Sequence, residues 1–257
     1  MKLAFNIPGT WNELNDSQLK KVAKLCFSKL PSLFFDYALL KILLKIKWYK
    51  FRLRRRFLVL LKVMSLSEIK THYKDFYKTQ NLTRFISSVK IQGVKYNAPS
   101  DRLGNISIGE FSVLEDLYLG YLNTKDDSSK NYGYDYLLYI TAVLYTSDKN
   151  GARPFFNKEL LANKVKTFKK VEKEIVYAGF LSYMGCRDYI ASLPKYALIF
   201  PKSKNNTKKM PTSSGIGDLI LSMSAGTFGD YDKTYHTNLY TFLDDYSKKL
   251  KASENEN

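Results

Sequence analysis

Between Tyr37 and Ser67 the chain carries nine Lys or Arg residues and no Asp or Glu, threaded through one of its most apolar stretches. The apolar side chains ask for burial while the cationic heads must reach water, so this segment restricts what the chain can become. A membrane span over Leu33 to Leu61 is excluded, because Lys41, Lys45, Lys47, Lys50, Arg52, Arg54, Arg55 and Arg56 would sit in hydrocarbon. What remains is a pair of helices, dense enough in apolar positions from Leu33 to Met64 to be expected largely buried. The arginines are expected near the break or on the exposed face. Charge is unevenly placed: residues 1 to 110 hold 21 basic and 7 acidic side chains, residues 111 to 257 hold 20 and 17. The first part is a candidate surface for a polyanion or an acidic partner, and the second is ordinary.

With 257 residues, 45% of them hydrophobic, the chain can bury a sizeable core. Cys26 and Cys186 lie far apart and neither belongs to a C-x-x-C pair, which argues against a disulfide framework or a zinc site. A reducing cytoplasm is the expected location. Met1 to Gly9 has a single Lys and no apolar run of signal-peptide length, so export through a cleaved signal is not expected.

The pattern along the chain predicts a mainly α protein. Thr10 to Glu13 matches a capping box, as does Asn15 or Ser17 ahead of a stripe formed by Leu19, Val22, Ala23, Cys26, Phe27 and Leu30, which Pro31 ends. A weaker helix is predicted over Ser67 to Lys78. Phe85 to Tyr96 surrounds Gly93 with β-formers and reads as a small hairpin, and Asn97 to Asp101 is turn chemistry. Ser107 and Glu110 make a second capping box before Phe111, Leu114, Leu117, Tyr118 and Tyr121, and a polar loop from Asn123 to Tyr132 follows. Tyr134 to Tyr145 reads as a helix packed on most sides. Leu161 to Ile175 reads as one amphipathic stretch, and Ala178 to Leu193 as its continuation or a restart, stopped by Pro194. The expected organisation is a basic helical region with the hairpin over 1–100, a helical body over 101–200, a flexible linker over 201–217, and a C-terminal helical module with a polar tail over 218–257.

No constellation supplies a nucleophile, a base and an electrophile together, so no catalytic residue, cofactor or metal is expected. Only two histidines exist, His72 and His236, and each reads as a surface or packing residue. Ser213 to Asp218 could offer amides to a phosphate but lacks the Gly-Lys-Ser/Thr end of a P-loop, so it reads as a helix lead-in. Gly229 to Asp232 reads as a turn or helix cap rather than a cation loop. Cys186, beside Arg187, reads as a helix-packing cysteine. The basic segment has two readings. In one, Lys45, Lys47, Lys50, Arg52, Arg54, Arg55 and Arg56 pair phosphates while Trp48 or Tyr49 stacks on bases. In the other, it is a solvated helix face.

Several segments resemble, in order, those of a group of proteins encoded by phages and prophages of Bacteroidota-like hosts. They are Ile7 to Leu14, Asp101 to Asn105 followed by Glu110 and Phe111, Ala152 to Phe155, Gly226 to Thr234, and Thr237 to Leu243. The resemblance implies a virion-assembly role, with a layout similar to tail assembly chaperones: helical, non-enzymatic proteins that hold a tape-measure protein. The basic block at Lys41 to Lys62 is an addition to that layout. The expectation is therefore a cytoplasmic, non-enzymatic phage morphogenesis factor. It would bind another phage structural or assembly protein through Phe111, Tyr118, Tyr121, Tyr134, Phe228, Tyr240 and Phe242, with DNA or RNA as the alternative partner of the basic segment.

Overall fold

Asn15 starts the first helix, α1 (Asp16–Cys26), by closing a capping box: its side chain accepts from Gln18 N–H while Gln18 reaches back to Asn15 N–H. Pro31 then separates α1 from α2 (Ser32–Leu43). The computed structural model describes residues 6–46, 49–78, 81–124, 132–147, 153–200, 213–224 and 226–255. The order continues with α3 (Phe51–Val63), α4 (Leu66–Lys70), α5 (Asp75–Lys78), strands β1 (Ser88–Ile91) and β2 (Val94–Asn97), α6 (Ile108–Thr124) and α7 (Tyr132–Leu144). It closes with α8 (Leu161–Phe168), α9 (Lys173–Ser192), α10 (Ile216–Met223), α11 (Tyr231–His236) and α12 (Leu239–Asn255). The fold is mainly α with one two-stranded antiparallel hairpin, as the pattern of the chain predicts.

The hairpin turns through Gln92 and Gly93, both at positive φ (50° and 85°), the mirror-image turn that matches strand twist. Its far strand is tied to the end of α7 by a bridge between Asn97 and Thr146. The centre of the molecule is α6, α7 and α9. α1 lies against α9, with Phe27 stacked on Tyr177 at 4.3 Å and Lys20 and Lys24 bonded to Glu172 and Glu174. Gly185 lets α9 rest on the backbone of Leu82, where any Cβ would collide.

Two segments depart from the sequence expectation. The stretch from Leu161 to Ile175 is two helices, because Glu172 leaves the helical conformation (ψ 131°) between α8 and α9. The C-terminal helices, whose docking the sequence leaves open, pack on the body. Ile220, Met223, Leu239, Phe242 and Leu243 are buried in the common core, and Leu239 N–H and Ile108 N–H cross-bond to Ile106 and Thr237 carbonyls at 3.0 and 2.9 Å. The expected linker lies outside the described residues up to 212, and its end is pinned, Ser214 donating from both N–H and hydroxyl to Asp116 at 2.8 Å. Finally, the apolar density of α3 predicts a largely buried helix, yet among its thirteen residues only Phe57 is buried.

Candidate partner-binding surface

Phe57 holds α3 to the rest of the protein, buried and packed on the Tyr37 ring at 5.6 Å. Leu53, Leu60 and Leu61 flank it, half-buried on the same side of the helix. The other side is exposed in two parallel stripes at helical spacing. One is Phe51, Arg55, Leu58 and Lys62, and its neighbour is Arg52, Arg56, Val59 and Val63. Four cations and four apolar groups thus share one outward face, with Phe51 and Val63 each 75% exposed. Arg54 is exposed beside them. None of these cations makes an ion pair among the described residues.

The start of α2 also exposes apolar side chains, Leu33 (73%), Phe34 (65%) and Tyr37 (38%). The carboxylate of α2, Asp36, turns inward and is neutralised there. It accepts from Lys70 Nζ at 3.1 Å and from the Tyr77 hydroxyl at 2.5 Å. Burial and that bond to Asp36 push the Tyr77 hydroxyl pKa well above the ordinary tyrosine value. Asp36 therefore adds no exposed carboxylate to the surface of α2. Of the residues expected to contact a polyanion, Lys45, Lys50, Arg52, Arg54, Arg55 and Arg56 are exposed, while Lys47 and Trp48 lie outside the described residues.

The aromatic residues expected to meet a protein partner sit differently. Phe111 and Phe242 are 1% and 0% exposed, inside the core. Tyr118 and Tyr121 pack on Phe180 at 6.2 and 4.7 Å, Tyr134 packs on Tyr177, and Phe228 stacks on Phe242. Tyr240 donates its hydroxyl to Arg102 O at 2.6 Å. These side chains spend their faces on one another, and a partner reaches Phe111 or Phe242 only by opening the fold. On α2 and α3, the exposed apolar positions not singled out from the sequence include Leu33, Phe34, Leu58, Val59 and Val63. A signal for the α3 positions was present, since residues 51–63 offer apolar groups all around the helix and only one side can face the core.

The remaining candidates resolve into local structure. Cys186 is fully buried, its thiol directed at Thr83 O (3.4 Å) and pushed up to about 12 by burial. Arg187 does not activate it and instead donates to both oxygens of Glu115 at 2.8 and 2.9 Å. Asp230 caps α11 by accepting from Lys233 N–H, and Asp116 occupies the Ser214 amide while the Ser213 and Ser214 hydroxyls accept from the next two amides. His72 is exposed, and His236 packs against Phe155 at 4.8 Å. Among the described residues no cluster of three His, Cys, Asp or Glu could hold a metal ion, and no helix is long and apolar enough to cross a membrane. Comparison with protein-family models, with curated proteins and with solved structures finds nothing that matches this chain.

Proposed function

We propose that this protein acts by binding rather than by catalysis, as a phage morphogenesis factor of the tail assembly chaperone kind, working in the host cytoplasm. The observation that carries the reading is the outward face of α3, where two i, i+4 stripes present four cations and four apolar groups side by side. A solvated helix face has no use for Phe51 and Val63 standing three-quarters exposed. A helical segment of a tail protein bearing apolar and acidic residues complements both components of that face. The contact expected at the Tyr-rich helices moves accordingly to α2 and α3.

The test is copurification with the tape-measure protein of the same genome, using the full chain with Phe51, Leu58, Val59 and Val63 changed to Ser. These side chains are exposed, so unfolding midpoints should stay within about 2 °C of the parent. Copurification is expected to fall at least tenfold; undiminished recovery sinks the proposal.

A second reading is favoured by the exposure of Arg52, Arg54, Arg55 and Arg56 without carboxylate partners among the described residues. On that reading α3 tracks the phosphates of DNA or RNA. Changing the four arginines to Gln is then expected to weaken anisotropy binding of labelled DNA sharply, the residual binding showing a salt slope lower by about 3 to 4. Binding indifferent to those residues and to salt removes nucleic acid from consideration.

A further inference from the structure

A cleft of about 470 Å³ opens between α1 and α2, within the size range of small-molecule sites. Ser17 and Lys21 reach it from one turn of α1, while Tyr37 and Lys41 line it from α2 and Lys45 from the turn just past the end of α2. Ile42 contributes an apolar wall. Three lysines thus surround one space that no Asp or Glu lines. Among the described residues none of the three makes an ion pair, and Lys41 rests over the Tyr37 ring at 5.3 Å. The acids carried by the same two helices are engaged elsewhere, Asp16 with Arg84 at 2.8 Å and Asp36 with Lys70 and Tyr77. An anion in this space would meet ammonium groups from both helices and no carboxylate on the lining.

The walls are held in place from below. Gln18 is buried and donates its amide to the carbonyls of Ile42 and Leu43 at 3.2 and 3.0 Å, stapling α1 to the end of α2. The cleft is therefore built in advance of any ligand.

Lys45 adds a separate argument. α2 ends in a Schellman motif, with Ile46 N–H bonded to Lys41 O at 2.9 Å and Lys45 N–H to Ile42 O at 3.0 Å. The left-handed position of that motif (φ 53°) is filled by Lys45, where glycine is the unstrained choice. A lysine in this conformation costs stability, and what it supplies in return is a third ammonium at the cleft.

We propose that this cleft binds the phosphoryl group of a nucleotide-like ligand, with the phosphates among Lys21, Lys41 and Lys45 and a planar body against Tyr37 and Ile42. Lysine binds phosphate as a mobile point charge, and several lysines suit a group carrying two or more negative charges. The same chemistry is offered by a free nucleotide or by the phosphorylated end of a nucleic-acid strand. The proposal goes beyond the α3 surface and depends on neither reading of it.

The experiment is isothermal titration of the full chain at 0.15 M salt, without divalent cations, with ATP, pyrophosphate, adenosine and a short deoxyoligonucleotide bearing a 5′-phosphate or a 5′-hydroxyl. Saturable one-to-one binding of ATP, competed by pyrophosphate and absent for adenosine, is expected. An oligonucleotide that binds only with its 5′-phosphate assigns the site to strand ends; failure of both oligonucleotides while ATP binds assigns it to free nucleotides. Lys45→Gly is expected to weaken ATP binding about tenfold while raising the thermal midpoint by about 2 °C, because the left-handed strain is released. Lys21→Gln with Lys41→Gln should weaken it further, and the variant with all four α3 arginines changed to Gln should keep its affinity within about twofold. No saturable binding of ATP or pyrophosphate up to about 5 mM, a range covering weak millimolar sites, overturns the proposal. So does an affinity that follows the α3 arginines and ignores the lysines.

Discussion

A chain ending at residue 217 is expected to lose cooperative folding altogether. Truncation removes Ile220, Met223, Leu239, Phe242 and Leu243, all buried in the common core. At about 1.5–3 kcal/mol for each buried large apolar side chain, the five together contribute on the order of 10 kcal/mol, as much as a domain's entire stability. The cut also leaves Ile106 O and Ile108 N–H without their partners across the fold, and takes away the Tyr235 ring against which Gly109 is fitted. Thermal unfolding followed by circular dichroism should show no sigmoidal transition for the truncated chain. A sharp transition near the parent's midpoint would falsify the placement of α10 to α12 in the core. For function the consequence is practical. Deletion of residues 218–257 cannot separate a capture module from a body, so the partner surface has to be tested by point substitutions on α2 and α3.

Much of the fold is legible in local chemistry. The capping box at Asn15, the second one where Ser107 N–H donates to Glu110 and Glu110 N–H to Ser107, the turn at Gly93 and the stop at Pro194 are each decided within a few residues, and the structure follows them. What was not legible depends on distant partners. Phe242 and Phe111 meet the same core from positions far apart in sequence, so a reading along the chain has no means of telling an apolar face destined for the core from one left for a partner. For α3 the error ran the other way, since apolar density suggested burial where the rest of the chain supplies cover only on the Phe57 side. The break at Glu172 carries no Pro or Gly to announce it.

Three segments far apart in sequence, Asp101 to Phe111, Arg153 to Phe155 and Thr237 to Leu243, meet in space. Arg153, next to Pro154 and Phe155, bonds Glu110; Asn238 donates to Gly104 O at 2.8 Å, and Tyr240 to Arg102 O. A small cleft of about 140 Å³ is lined by Asn105, Glu110, Arg153, Phe155, His236 and Asn238. Their contacts join the start of α6 to the end of α7 and to the C-terminal helices.

Glu110→Ala is expected to cost about 3–5 kcal/mol, the usual penalty for removing one member of a buried ion pair. The Glu110 and Arg153 side chains are 4% and 8% exposed and meet at 2.7 Å. Arg153 also donates to the carbonyls of Val143 and Leu144, which fixes the guanidinium at the end of α7, so it cannot swing into water when its counter-charge goes. A third charge feels the loss. Burial, and after it Arg153, bring the Lys164 ammonium down to about 8, while Glu110 holds it up. With a folded value below the ordinary 10.5, Lys164 lets stability rise with pH from about 8 toward 10.5, since the unfolded chain there binds more protons. Without Glu110 the folded value drops further, so the penalty of the variant is larger below pH 7 than above pH 8, where Lys164 is already neutral in the folded parent. Urea unfolding at pH 6.5 and pH 9 measures both effects. A penalty under about 1 kcal/mol at both pH values, the range of an exposed pair, would mean that Glu110 and Arg153 are solvated and that the joint is held by its apolar contacts alone.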